Sequence, residues 1–168
     1  MNKYLILCVD DEREVLDSVL NDLRALEEYF VIEAAESVDE AKEVLADAVA
    51  DHMPLALILC DHIMPGETGI DFLIELKHQE ESSNARKVLL TGQAGLEETV
   101  QAVNNASLDY YIAKPWNGDQ LKQIVIDQLT TFVIDNESEA ELMAWMQILD
   151  TNRIMEALSH RRLSLSDI

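Results

Sequence analysis

The chain reads as short, almost wholly apolar runs separated by longer stretches in which apolar residues recur every three or four positions. The first pattern is that of strands covered on both faces, the second that of helices with one buried side. Apolar runs at residues 4–9, 30–34, 55–60, 87–90 and 110–113 predict five strands. Val15, Leu16, Val19, Leu20, Leu23 and Leu26 predict a helix reaching about Glu28. Ser37 and Glu40 form a capping box that opens a helix to about Ala50, with Val38, Ala41, Val44, Leu45 and Ala48 on its inner side. Ile70, Phe72, Leu73 and Leu76 mark a third helix ending near the polar residues 80–84. A fourth, over about Leu96 to Ala106, has Glu97 and Glu98 in its first turn and Val100 and Val103 inward. A fifth starts at Asn117 or Asp119 and carries Leu121, Ile124, Val125 and Leu129. Strand and helix alternate across short loops, which predicts an α/β fold, a parallel sheet covered on both sides by right-handed crossovers.

The run at 55–60 is followed at once by Asp61, and Pro65, Gly66 and Gly69 then force a turn. A carboxylate thus stands where a buried strand meets its loop, and open α/β sheets bind ligands at that end. A lone Asp there equally caps a turn. The other strand ends decide the matter. The first runs into Asp10 and Asp11, the fourth into Thr91, and the fifth into Lys114, with Pro115 closing the strand. The acids at 10–12 also suit the N-terminus of the helix that follows them.

Composition narrows the chemistry. The 168 residues suffice for one domain and an appendage. Thirty-three acidic against 12 basic residues give a net charge of −21. Such a surface repels polyanions, so neither nucleic acid nor an anionic membrane is an expected partner. No apolar run approaches the ~20 residues of a membrane span. Asp10, Asp11 and Glu12 interrupt the apolar start where a signal peptide would continue. Cys8 and Cys60 lie inside strand runs, which predicts buried free thiols and a cytoplasmic protein.

Clustered carboxylates suit Mg²⁺, which takes one or two of them together with waters and a phosphate oxygen. Lys114 and the Thr91 hydroxyl would contact that anion, and a central carboxylate can itself be the nucleophile, giving an aspartyl-phosphate. Taken singly, each residue has a plainer reading. Thr91 alone is a helix cap, Tyr111 a half-buried strand aromatic with Tyr110 facing the other way, and Lys114 a solvated lysine. His62 reads as an incidental loop residue, and His52, His78 and His160 show no ligand spacing.

Asp10-Asp11, Asp61 with Met64-Pro65 and Gly69, Thr91, Tyr111 and Lys114-Pro115 occur in the order and spacing of response regulator receiver domains, which the chain resembles over about residues 2–132. The resemblance implies a flavodoxin-like, doubly wound sheet of order 2-1-3-4-5. It implies that Asp61 accepts a phosphoryl group from a histidine kinase or phosphotransfer protein. Asp10, Asp11, Asp61 and the Ile63 carbonyl would hold Mg²⁺, and Lys114 would contact the phosphoryl group. Thr91 and Tyr111 would form the switch, altering the face made by the fourth helix, the fifth strand and the fifth helix. Ile63 cannot orient an attacking water and Gln93 is the alternative residue for that role, so slow to moderate self-dephosphorylation is expected. An aspartate-nucleophile phosphatase would need a second Asp where Ile63 stands. A degenerate receiver acting as a scaffold is disfavoured by the intact acids, Thr91 and Lys114. The chain is thus expected to be a phosphoacceptor rather than a conventional turnover enzyme.

Residues 133–168 exceed what a receiver needs. Leu142, Trp145, Met146 and Leu149 stripe a helix over 137–149, broadened by Met143 and Ile148. Asp150, Thr151 and Asn152 break and cap it, and a second helix over 153–162 carries Ile154, Met155 and Leu158 on one side. The stripe follows no strict heptad. It suits a helical hairpin packed on its own domain, a dimerisation element, or a linker to an output domain. An exposed Trp145 face would be adhesive, and self-association, as a homodimer, or partner docking is the expectation.

Overall fold

The computed structural model describes residues 1–92 and 103–166. Strands β1 (Leu5–Val9), β2 (Val31–Ala35), β3 (Leu55–Asp61), β4 (Arg86–Thr91) and β5 (Tyr110–Ala113) all pair in parallel, in the order β2-β1-β3-β4-β5. Each lies within one residue of its predicted bounds, and the order is that of the flavodoxin-like fold. β1 and β3 are buried along their whole length, as inner strands of a two-sided parallel sheet must be.

Helices α1 (Arg13–Asp22), α2 (Val38–Ala50), α3 (Gly69–Lys77), α4 (Gly118–Asn136), α5 (Glu139–Trp145) and α6 (Thr151–Ser166) follow the strands. The Ser37 hydroxyl accepts from Glu40 N–H at 3.1 Å and the Glu40 carboxylate reaches back to Glu36 N–H at 3.0 Å, closing the start of α2. Of the two caps considered for α4, Asn117 is the one used, accepting from Asp119 N–H at 2.9 Å. The first helix is shorter than its apolar spacing suggests. It ends at Asp22, and a single 3₁₀ turn, Arg24–Leu26, follows. A 3₁₀ turn repeats every three residues, so Leu23 and Leu26 keep a helical spacing and stay buried without belonging to α1. The helix expected over 96–106 lies largely outside the described residues, as do Glu97, Glu98, Val100 and Gln93. Residues 103–105 are helical. Val103 is 50% exposed, not inward; spacing placed it on a stripe but not against a neighbour.

The described chain forms two compact units, residues 3–122, and residues 1–2 with 123–168. The helix α4 is continuous both across this division and across residue 132. In the first unit, Leu7, Val9, Ile58 and Cys60 from the sheet pack with Val38, Ala41 and Ala48 of α2 and with Ile70, Leu73 and Leu76 of α3. This core immobilises the strands whose ends carry the polar residues.

In the second unit α5 and α6 pack on each other. The Asp150 carboxylate caps α6 through Arg153 N–H at 3.2 Å, the break-and-cap predicted there. Arg153 donates to the Asp127 carbonyl at 2.9 Å and the Thr131 hydroxyl at 2.7 Å, while Arg161 donates to the carbonyls of Glu137 and Ile134. Leu142, Trp145, Leu149, Ile154 and Leu158 are buried. The condition for an adhesive Trp145 face, its exposure, is thereby not met. The chain folds back at Asp150, and the two apolar stripes are covered within this chain. Met155, expected on the inner side with Ile154, is instead half exposed, as is Met143.

Candidate functional site

Register places the acids. Val9 of β1 pairs with Cys60 of β3, so Asp10 and Asp61 leave the sheet side by side. The order β2-β1-β3 makes this the point at which the chain's winding reverses, leaving a crevice outside the carboxyl ends of β1 and β3. Asp10 is fully buried, Asp61 is buried, and Asp11 is exposed. One oxygen from each of these three carboxylates lies within 4.8 Å of the others.

Lys114 completes the group. It follows β5, two strands from β3, and strands stand ~4.8 Å apart. Its long side chain therefore has to reach across the end of β4. The Lys114 N–H donates to the Thr91 carbonyl at 2.8 Å. Its ammonium donates to Asp10 Oδ2 at 2.8 Å and to Asp61 Oδ1 at 3.2 Å. Asp10 Oδ1 accepts in addition from Glu12 N–H at 2.9 Å. Asp10 is thus fixed at both oxygens, whereas Asp61 faces the crevice.

The electrostatics follow from this packing. Burial raises the Asp61 carboxyl above its ordinary range, the charge of Asp10 raises it further, and the Lys114 ammonium pulls it back in part. Burial alone would lower Lys114, but its hydrogen bond to Asp10 and the charges of Asp61 and Asp10 outweigh that and hold it above the usual lysine value. Three carboxylates against one ammonium leave two negative charges uncompensated. Hard oxygens in that number and at that spacing fit a divalent cation such as Mg²⁺. Burial pushes the Cys8 thiol up to about 12 and Cys60 higher still, and both are free, buried thiols, as expected.

Thr91 is buried at the end of β4, one strand from Asp61. Tyr111 is 54% exposed on β5, more open than the half-buried reading, with the Tyr110 ring 6.5 Å away. Ile63 is 64% exposed in the loop after Asp61. His62 is buried, and its carbonyl accepts from Gly69 N–H at the base of the loop.

Two features were not legible in the sequence. Asp22, at the end of α1, accepts from the Trp116 indole at 3.2 Å and so steadies the segment just beyond Lys114. Lys87, on β4, is buried and donates to the carbonyls of Ala85 at 2.9 Å and Ser83 at 3.3 Å. The first bond joins residues 94 positions apart, whereas the two made by Lys87 are local and carry no motif that marks them. A cavity of about 770 Å³ between α2 and α3, lined by Leu45, Val49, Met53, Phe72 and Leu76, opens beside Leu55. That is the other end of β3 from Asp61, roughly 20 Å away at the usual strand rise, so it plays no part in the acid pocket.

The family model for the response regulator receiver domain matches residues 6–126. The hydrogenase transcriptional regulatory protein HoxA of Cupriavidus necator is 35% identical over 69% of this chain, which corresponds to 22% of that protein. The response regulator Rre1 of Synechocystis is 26% identical over 90% of this chain and 62% of its own length. A CheY-like response regulator receiver domain protein from Methanospirillum hungatei superposes with a TM-score of 0.67 at 28% identity, covering 80% of this chain and all of that one. The chain spans about a quarter of the length of the first curated relatives it matches. Among the described residues no helix is long and apolar enough to cross a membrane.

Proposed function

Because the chain belongs to the response regulator receiver family, we propose that it is a phosphorylation-controlled switch, with Asp61 as acceptor and a histidine kinase or phosphotransfer protein as donor. The observation that carries this reading is the convergence of Asp10, Asp11 and Asp61 within 4.8 Å, with one ammonium shared by Asp10 and Asp61. In the transfer, an Asp61 oxygen attacks phosphorus, a P–O bond forms, the P–N bond to the donor imidazole breaks, and its electron pair returns to the ring nitrogen. Asp10, Asp11, Asp61 and the Ile63 carbonyl would hold Mg²⁺, which when bound offsets negative charge on the transferring group. Lys114, already on Asp61, would move its hydrogen bond to a phosphoryl oxygen.

The switch needs a two-state element biased by the new bond. Thr91 lies one strand from the acceptor, and its hydroxyl would be drawn to the phosphoryl oxygens. The Tyr111 ring, exposed on the neighbouring strand, would then turn into the space vacated. A few kcal/mol of preference for the active state is enough. In this reading residues 1–132 act as the receiver and 133–168 as a helical extension through which a homodimer or an output partner is controlled.

Incubation with acetyl phosphate and Mg²⁺ tests the proposal. One acid-stable, base-labile phosphoryl group should appear and map to the peptide bearing Asp61. Continuous turnover would point to a phosphatase, and no incorporation to a scaffold. The phosphorylated protein should also lose its label slowly. An Ile63→Asn substitution places an amide where it can orient water and should shorten the half-life several-fold. An unchanged half-life would count against a role for that position.

A further inference from the structure

We propose that Lys42, on α2, positions the loop between Asp61 and Gly69 and thereby sets how tightly the acid pocket holds a divalent cation. The inference rests on the reading of the pocket given above. The loop leaves β3 at Asp61 and reverses at Gly66, whose φ is +88°. Its base is closed by the hydrogen bond from Gly69 N–H to the His62 carbonyl, 2.9 Å long. Its far side is held from outside. Lys42 Nζ lies 3.0 Å from Glu67 Oε2 in the loop and 3.2 Å from Glu75 Oε2 on α3. One ammonium therefore joins α2, the loop and α3.

Ile63, whose carbonyl is the proposed fourth oxygen, sits between the closed base and the tied residue 67. Mg²⁺ demands near-ideal geometry from its ligands, so wandering of that carbonyl is felt as lost affinity. Hydrogen bonds to Glu67 and then Glu75 raise Lys42 above its ordinary value, so it stays charged wherever the pocket works. The link is half exposed, and such pairs are individually weak. The effect is accordingly a few-fold change in affinity.

Charge and tether make opposite predictions for this residue. Lys42→Met makes an already acidic protein more negative, and by field alone it would tighten Mg²⁺ binding. Loss of the tether loosens it. Calorimetric titration of the full chain with MgCl₂ should give a Kd about three- to fivefold higher for Lys42→Met, and near the wild-type value for Lys42→Arg. Glu67→Ala should weaken binding as well, and the double variant should be less than additive, since both remove the same link. With acetyl phosphate, Lys42→Met should raise the Mg²⁺ concentration for half-maximal phosphorylation and leave the rate at saturating Mg²⁺ unchanged. A merely structural lesion would lower that saturating rate, which would overturn the proposal. Wild-type binding with an unchanged or lower Kd in Lys42→Met overturns the tether alone. A wild-type protein that takes up no Mg²⁺ overturns the pocket reading, and the tether with it.

Discussion

Replacement of Lys114 by Met is expected to tighten Mg²⁺ binding by about tenfold while lowering the stability of the metal-free protein. The Lys114 ammonium stands 2.8 Å from Asp10 and 3.2 Å from Asp61, where it competes with any cation for the same oxygens. Two unit charges some 5 Å apart at an effective dielectric constant near 20 interact by about 3 kcal/mol. Part of that is lost to relaxation and solvent, and about 1.4 kcal/mol of remaining relief corresponds to the tenfold change. The cost falls on the fold. Asp10 is fully buried, and without Lys114 one of its oxygens loses its charged partner. Removing one member of a buried pair strands the other, and here the pair is open at the Asp61 side, so a loss of about 2 kcal/mol is expected. Added Mg²⁺ should restore more stability to the variant than to the wild type. Titration calorimetry and urea melts with and without MgCl₂ measure both effects. An unchanged or weaker affinity would mean that the ammonium does not oppose the cation, and the charge balance drawn for the pocket would be wrong.

The same charges give the pH dependence a definite sign. Asp61 has a raised pKa in the fold, so between its unfolded and folded values the native state binds the extra proton. Its contribution is therefore favourable below the ordinary carboxylate range and is lost as pH rises through the folded value. Because Lys114 holds that value down, Lys114→Met should carry the loss to higher pH. The buried Asp61 carboxylate is a small stability liability at neutral pH, which a divalent cation would relieve on binding.

The strands were legible because a two-sided parallel strand has almost no alternative reading. A run such as 55–60 is too short for a helix and too apolar for a loop. Helix ends were less so. A 3₁₀ turn preserves the three-residue spacing of Leu23 and Leu26, so apolar spacing runs on past the end of α1. The stripe of Leu142, Trp145 and Leu149 announced burial correctly but could not say against what. Whether α5 covers itself with α6 or with another chain depends on the fold-back at Asp150, which periodicity does not encode. At the site, strand-end chemistry brought out Asp10, Asp11 and Asp61 individually, and only their order and spacing as a set raised Lys114 above a solvated lysine. Its contact with Asp61 spans 53 positions and exists because five strands stack in one order. The Lys42–Glu67 pair, 25 positions apart on helix and loop, had no motif at all to mark it.

Among the described glycines, Gly69 is expected to tolerate an added methyl group least. A Cβ there would stand 1.9 Å from the Asp61 carbonyl oxygen and 2.8 Å from its carbon. Both are backbone atoms at the end of a central, fully buried strand, so neither side can swing away as a flexible side chain would. Alanine is the better helix former, and at the first position of α3 it would return at most about 1 kcal/mol. Overpacking against immobile atoms costs about 3 kcal/mol, so the net effect is a loss of about 2 kcal/mol, read as a lower urea midpoint. Gly66 supplies the control. A Cβ there meets nothing within 4 Å and only its positive φ, +88°, objects, which costs about 1 kcal/mol. The two variants should also differ in chemistry. The clash at Gly69 pushes on Asp61, one of the three clustered carboxylates, so Gly69→Ala should weaken Mg²⁺ binding beyond what its stability loss explains at temperatures well below its melt, whereas strain at Gly66 lies in the loop. If Gly69→Ala melted within about 0.5 kcal/mol of wild type, the size of an ordinary surface substitution, the loop could not be pressed against the end of β3 as described. The close fit that presents Asp61 to the crevice would then have to be abandoned.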